Sequence, residues 1–341
     1  MVFLDWASTS PMIRFTAGQY GNHCINPNAA YAYTERKVLM DCEERIKAAI
    51  GVNGGHVLYF RCATEAIDWL YHETDSWNDA WGHSPYEHDA CLFGIGRRSD
   101  KLVGFSFYIH QWVNHVTGEI FDLNAIRSQL HKTCKLIVDA TAGFGKAKLP
   151  SGLDNIADAL FMSGHKIGCP ELSFMWLSDN LCEWLGAAKD IRNQWGLHHG
   201  SLSVASVLAL TDAVEWACEN GNLVDGHSVR LYVQMNDMLD KSRIEHRDVI
   251  ERQAYTASIN AIRFNGINAD ALQQFLASRG VYVGVGGSAC SAAHDYRVLR
   301  AYGLTDDEAS EVIRVSFGEE TTSSDIEALV EGIKEYRRQF C

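Results

Sequence analysis

The 341-residue chain holds only five prolines, and its ten cysteines include no Cys-x-x-Cys pair. So few prolines leave few rigid breaks. The missing pair removes support for a zinc ribbon or a thioredoxin-like redox centre. There is no basic run. The formal net charge is -13, from 30 Lys and Arg against 43 Asp and Glu. That balance argues against direct contact with bare nucleic acid or an anionic membrane surface as the main activity. No apolar stretch is long enough to span a bilayer. The segment Met1-Val2-Phe3-Leu4-Asp5 lacks a basic stretch and meets an acid early, against a secretory signal. Scattered thiols in a chain of this length point to a reducing, cytoplasmic setting. Repeats, low-complexity tracts and long polar linkers are also missing.

Hydrophobic residues make up 47% of the chain, enough for a large core and two lobes. Short apolar runs alternate with helical patterns in the first half. Strands are predicted at His56–Phe60, Leu102–Ile109, Lys135–Val138 and Ala159–Met162, and a helix from Thr64 to Tyr71. Such alternation predicts an α/β fold with a mainly parallel sheet. Helical spacing over Val204–Cys218 is expected to stop near Gly221. A second helix is then expected over Ser228–Ser242, strands around Ala257–Arg263 and Val281–Val285, and a last helix over Ser324–Arg338. These divide the chain into a large domain, 12–224, and a smaller α/β domain, 225–341 together with 1–11.

Ligands of open α/β sheets gather at the carboxyl ends of strands. Ser163-Gly164-His165-Lys166-Ile167 follows the apolar run Ala159-Leu160-Phe161-Met162. A lysine at the end of a buried strand suits a Schiff base with pyridoxal phosphate, and Ser163 and His165 suit its phosphate. A plain surface lysine is the competing reading. Val138-Asp139-Ala140-Thr141 ends another strand with an acid that needs a partner; a pyridinium nitrogen provides one, and a helix cap or a salt bridge fits the segment alone about as well. Asp139 and Lys166 end two successive strands, so one ring can meet both. Cys62, Ala63 and Thr64 stand at a strand-to-helix turn whose N–H groups can seat phosphate, although an ordinary threonine cap is the favoured reading of this segment taken alone. His88, in Pro85–Ala90, can stack on a cofactor ring; a lone histidine is more often structural. Cys290 sits in the small-residue run Gly284–Ala293, as a mobile thiol or a buried one. Arg314 lies in the alternating segment Val312–Phe317, where a guanidinium suits a substrate α-carboxylate; the bland alternative is an edge-strand arginine.

Together these segments resemble cysteine desulfurases of the NifS/IscS type, within the class V aminotransferase-fold enzymes that use pyridoxal phosphate. The resemblance runs nearly end to end. It is carried by Phe3–Pro11, Asn26–Ala29, Cys62–Glu65, Glu87-His88, Val138–Thr141, Ser163–Lys166, Gly287–Cys290, Val298–Gly303 and Ile313–Gly318. It implies a PLP-dependent transferase of fold type I, whose large domain has a mainly parallel sheet of about seven strands. It implies that Lys166 holds the cofactor and carries protons, while His88 stacks on the ring. It further implies that Arg314 and Asn114 meet the substrate. The activity implied is conversion of L-cysteine to L-alanine, leaving a persulfide on Cys290 for a sulfur acceptor, expected to be a protein. Family members are homodimers, and Gly200-Ser201 resembles the segment that reaches the partner's phosphate. The chain departs from the pattern at several places. The His198-His199 region lacks the usual arginine, the glycine-rich stretch after the lysine is Gly168–Glu171, and the chain is shorter between Pro11 and Asn26. Two further changes bear on the ring. His115-Val116-Thr117-Gly118 replaces the usual Asn-x-x-Gly, and Ala142 replaces a glutamine after Asp-Ala-Thr. His115 is therefore expected to take over a ring contact. No metal is expected. Two alternatives stand beside this reading: another reaction of the same fold (aminotransferase, lyase or epimerase), which does not need Cys290, and a catalytically weakened sulfur-relay or scaffold homologue.

Overall fold

A computed structural model describes residues 1–11, 13–21, 23–75, 81–92, 104–251, 253–286 and 296–340. The chain divides into two compact units. A large unit comprises Met12–Trp112 and Asp122–Asn220; a small unit comprises Met1–Pro11, Val113–Phe121 and Gly221–Cys341. Residues 113–121, inside the span predicted for the large domain, thus group with the small unit.

The large unit is built on a six-stranded sheet among the described residues. Its order is His56–Phe60, Ser173–Leu177, Ala159–Ser163, Lys135–Asp139, Phe107–Gln111, Trp81–His83. The last four strands are parallel to one another, and Ser173–Leu177 runs antiparallel to both its neighbours. Three of the strands are buried along their whole length and Lys135–Asp139 from its second residue on, as expected of a sheet covered on both faces. One face packs Phe60, Phe107, Ile137, Phe161 and Met175 against Ile67 and Leu70 of the helix Ala63–Asp75. The strand predicted from Leu102 is described at Phe107–Gln111; residues 102 and 103 lie outside the described residues.

The small unit carries a five-stranded sheet in the order Val2–Leu4, Val281–Val285, Val312–Ser316, Ile259–Arg263, Arg247–Asp248. Its core joins Leu4, Ile262, Val283 and Val315 to Leu272, Leu276, Leu329 and Ile333 of two helices, Ala269–Ser278 and Ser323–Phe340.

One expectation fails. The helix does not stop near Gly221: it runs unbroken over 38 residues, Val204–Lys241. Buried positions continue in phase through Ala217, Gly221, Val224, Ser228, Leu231 and Met235. Gly221 is thus a packing position on the inner stripe. Its helix penalty of about 1 kcal/mol is smaller than the gain from burying that stripe.

Candidate functional site

The lysine turn is defined by sterics. Strand Ala159–Ser163 leads directly into a 3-10 turn, Gly164–Ile167, closed by Gly168 in the left-handed region at φ 83°. A Cβ on Gly164 would stand 2.1 Å from the Leu172 carbonyl oxygen and 2.5 Å from that of Cys169, so this position takes only glycine. Ser173 Oγ accepts the Gly164 N–H at 3.3 Å and reaches Ser163 Oγ at 3.5 Å. The tight turn leaves Lys166 buried, 8% exposed, just past a strand end.

The neighbouring parallel strand is Lys135–Asp139, with Asp139 paired to Phe161. Asp139 is buried. Its Oδ1 accepts the Thr141 N–H at 2.8 Å, and its Oδ2 takes the Cys91 thiol at 3.8 Å. Glu87 stands beside it: carboxylate oxygens of Glu87 and Asp139 and the Cys91 sulfur lie within 4.8 Å of one another. Glu87 is held by the Gln111 N–H at 2.9 Å and the Ser84 hydroxyl at 2.5 Å. The hydroxyl of Thr141 is buried with no hydrogen-bond partner, a donor left for a ligand to satisfy.

His88 begins the short turn Asp89–Cys91, and its Nδ1 accepts the Ala90 N–H at 3.1 Å. A neutral ring in that role carries its proton on Nε2. His165 is pushed down to a pKa of about 4, by burial first and then by the positive charges of Lys166 and Lys146. Those groups therefore share one electrostatic neighbourhood. Lys146 was not foreseen. It is buried at the end of the loop Ala140–Lys146. The available signal was a lysine behind Gly143 and Gly145 in a small-residue loop after a strand-ending acid. Cys91 was also missed, because an isolated buried thiol looks like core.

Cys62, Ala63 and Thr64 start the helix Ala63–Asp75 after strand His56–Phe60, which is separated from Ala159–Ser163 by Ser173–Leu177. Thr64 is not the cap. Cys62 caps, its sulfur accepting the Glu65 N–H at 3.5 Å, while the Glu65 carboxylate accepts the Arg61 N–H at 2.6 Å. Cys62, Thr64 and Ser201 are exposed. The loop leading to Ser201 is anchored on the sheet edge. Asn193, Gln194 and Trp195 all have φ between 50° and 61°. This left-handed turn puts the Gln194 amide against the backbone of Tyr59, accepting its N–H at 2.6 Å and donating to its carbonyl at 3.3 Å.

Asn114, His115 and Arg314 belong to the small unit. Asn114 Oδ1 accepts the N–H groups of Val116 and Thr117, both at 2.9 Å, so its oxygen closes a local turn; its Nδ2 is buried without a partner. The His115 carbonyl accepts from Arg314 Nη1 at 3.1 Å. Arg314 is 1% exposed and pairs with Asp5 at 2.7 Å. It is therefore an interior arginine, and the edge-strand alternative is excluded: Val312–Ser316 has neighbours on both sides. Cys290 lies outside the described residues.

A carboxylate, Asp139, and an amine, Lys166, thus stand at the ends of adjoining strands of an α/β sheet, with the imidazole of His165 next to the lysine in the chain. The chain belongs to the class-V aminotransferase family, whose model matches residues 106–329. It is 27% identical to a putative cysteine desulfurase NifS of Halalkalibacterium halodurans, over 98% of each chain. It is 30% identical to the cysteine desulfurase IscS of Shewanella pealeana, over 65% of this chain and 55% of that protein. A solved NifS-like protein superposes with a TM-score of 0.84 at 20% identity, covering 99% of this chain and 100% of the other. A NifS-like protein from Rickettsia africae gives 0.80 at 17% identity, covering 99% of both chains. These neighbours show the fold, the PLP-dependent transferase fold type I.

Proposed function

We propose that the chain is a cysteine desulfurase using pyridoxal phosphate, which converts L-cysteine to L-alanine and leaves a persulfide on Cys290. The observation that carries the cofactor is the buried Lys166, turned back by Gly164 beside the strand ending in Asp139. The residues fit this group. Lys166 offers a primary amine. Asp139 offers a buried carboxylate with one oxygen on a backbone N–H and the other on a thiol, and Thr141 offers an unsatisfied hydroxyl. Bound there, pyridoxal phosphate supplies an electron sink that labilises bonds around the α-carbon of an amino acid.

The residues divide the remaining work. With the cofactor bound, Asp139 would keep the ring nitrogen protonated. His88 covers the ring, with its proton on Nε2. Cys62, Ala63, Thr64, Ser163 and His165 seat the phosphate, and Ser201 reaches that of a second copy in a homodimer. Lys166 moves protons at Nζ. Arg314 and Asn114 are the candidates for the substrate and His115 for a ring contact, as the family resemblance implies. The Cys290 thiolate takes the substrate sulfur: an S–S bond forms, the C–S bond breaks, and a proton goes to the carbon. The balance is L-cysteine plus thiol giving L-alanine plus persulfide. Likeness to relatives named cysteine desulfurases supports this choice of reaction over others of the family. The acceptor is proposed to be a protein and the setting the cytoplasm. No described helix is long and apolar enough to cross a membrane.

The test is to load the purified protein with pyridoxal phosphate, add L-cysteine and measure alanine. Stoichiometric or greater alanine supports the proposal. No alanine, from protein whose visible spectrum shows the bound cofactor, refutes it.

A further inference from the structure

Three neighbouring strands of the small unit converge on Arg314. Gly284 stands directly opposite Arg314 in the pairing of Val281–Val285 with Val312–Ser316. Leu4 pairs with Val283 on the other side, so Asp5 comes level with Gly284. Opposed residues share a face of the sheet. The Arg314 side chain therefore passes over residue 284 to reach Asp5, placing Nη2 2.7 Å from Oδ1. A Cβ at position 284 would lie 2.9 Å from that oxygen and 3.0 Å from both Nε and Nη2. Only glycine leaves this space. Asp5 is itself fixed. Its carbonyl accepts both the N–H and the hydroxyl of Ser8, at 3.0 and 2.7 Å, and the next turn is tied by the Ala7 N–H to Ser316 Oγ at 2.8 Å. Two nitrogens of the guanidinium are thus committed, Nη2 to Asp5 and Nη1 to the His115 carbonyl. The third, Nε, is buried and has no partner.

We propose that Asp5 is a positioning residue: across the gap left by Gly284 it holds the Arg314 guanidinium so that Nε–H stays directed at an incoming α-carboxylate. This rests on the reading of Arg314 as the substrate-carboxylate residue. An arginine is always charged, and its planar fork recognises a carboxylate only when its plane is set. Asp5 and the His115 carbonyl set that plane before substrate arrives, so the orientation is not bought at binding.

The test uses the full-length holoprotein with Asp5→Ala, Asp5→Asn and Gly284→Ala. Asp5→Ala is expected to raise KM for L-cysteine about tenfold with kcat within about twofold, the signature of lost uniform binding. Affinity for L-alanine, measured by calorimetry, falls in step. Asp5→Asn keeps an accepting oxygen and stays within about threefold of the parent. Gly284→Ala keeps both charges but fills the gap, and raises KM as Asp5→Ala does. Unchanged KM and L-alanine affinity in Asp5→Ala, or a fall in kcat alone, overturns the proposal. So does an Asn variant as impaired as the Ala variant. A parent protein that releases no alanine from L-cysteine defeats the desulfurase reading instead. The positioning claim is then decided by the guanidinium ¹⁵N–¹H signals of Arg314. Separate signals in the parent and Asp5→Asn that merge in Asp5→Ala support it; identical signals in all three overturn it.

Discussion

Two buried basic residues, one in each unit, sit in different surroundings. Arg314 has a carboxylate built in at 2.7 Å and a carbonyl at 3.1 Å. Lys166 shares its surroundings with a second buried lysine, Lys146, and the two add to burial in driving the proton off His165. The difference follows from chemistry. A guanidinium cannot shed its proton, so burial demands an anion. An amine can, and a lysine meant to bond a carbonyl must do so. The small unit thus holds its cation on a built-in anion, while the large unit gathers two buried lysines around an imidazole kept neutral.

The largest effect should come from Lys166→Ala. Loss of the amine is expected to abolish the visible cofactor band and lower alanine formation about a thousandfold or more, with the far-ultraviolet dichroism unchanged. A variant that keeps the band would remove the reactive half of the contrast. Asp139→Asn comes next, at roughly a hundredfold in rate with cofactor still bound, because the electrostatic partner is lost while the shape is kept. Gly164→Ala tests the turn rather than the chemistry. Its Cβ meets two carbonyl oxygens, so a loss of about 2–3 kcal/mol is expected on denaturant unfolding.

The smallest effect is a pH dependence. His165 and His110 are both depressed from 6.5 to about 4, chiefly by burial. The folded state therefore favours their neutral forms. Stability from this source is complete above pH 6.5 and is lost as pH falls toward 4, where the unfolded chain binds protons and the folded one resists. His165→Asn should flatten that slope in chemical denaturation across pH 4–7, and an unaltered slope would exclude His165 as a source.

Much of the large unit was legible, because buried parallel strands write themselves as unbroken apolar runs, as at Lys135–Asp139 and Ala159–Ser163. The strand Ser173–Leu177 has the same apolar character but was missed, lying close behind the lysine turn. Gly221 misled because glycine marks helix ends and also small packing positions, and only the phase of its neighbours separates the two. At the site, residues with unusual side chains for their place, Lys166, Asp139 and Arg314, were readable one at a time. Their partners were not. Asp5, Glu87, Cys91 and Lys146 meet them through strand register and loop closure, which local spacing does not encode. The excursion of residues 113–121 into the small unit was hidden for the same reason.

The central claim is that this fold delivers sulfur to Cys290. The direct measurement is to incubate the cofactor-loaded protein with L-cysteine, count alanine formed in the first turnover, and map sulfur on the peptide containing residue 290 by mass spectrometry. The account predicts one added sulfur atom on Cys290 for each alanine released, and no turnover in Cys290→Ser. Alanine formed while Cys290 gains no sulfur, or full turnover in Cys290→Ser, would contradict it.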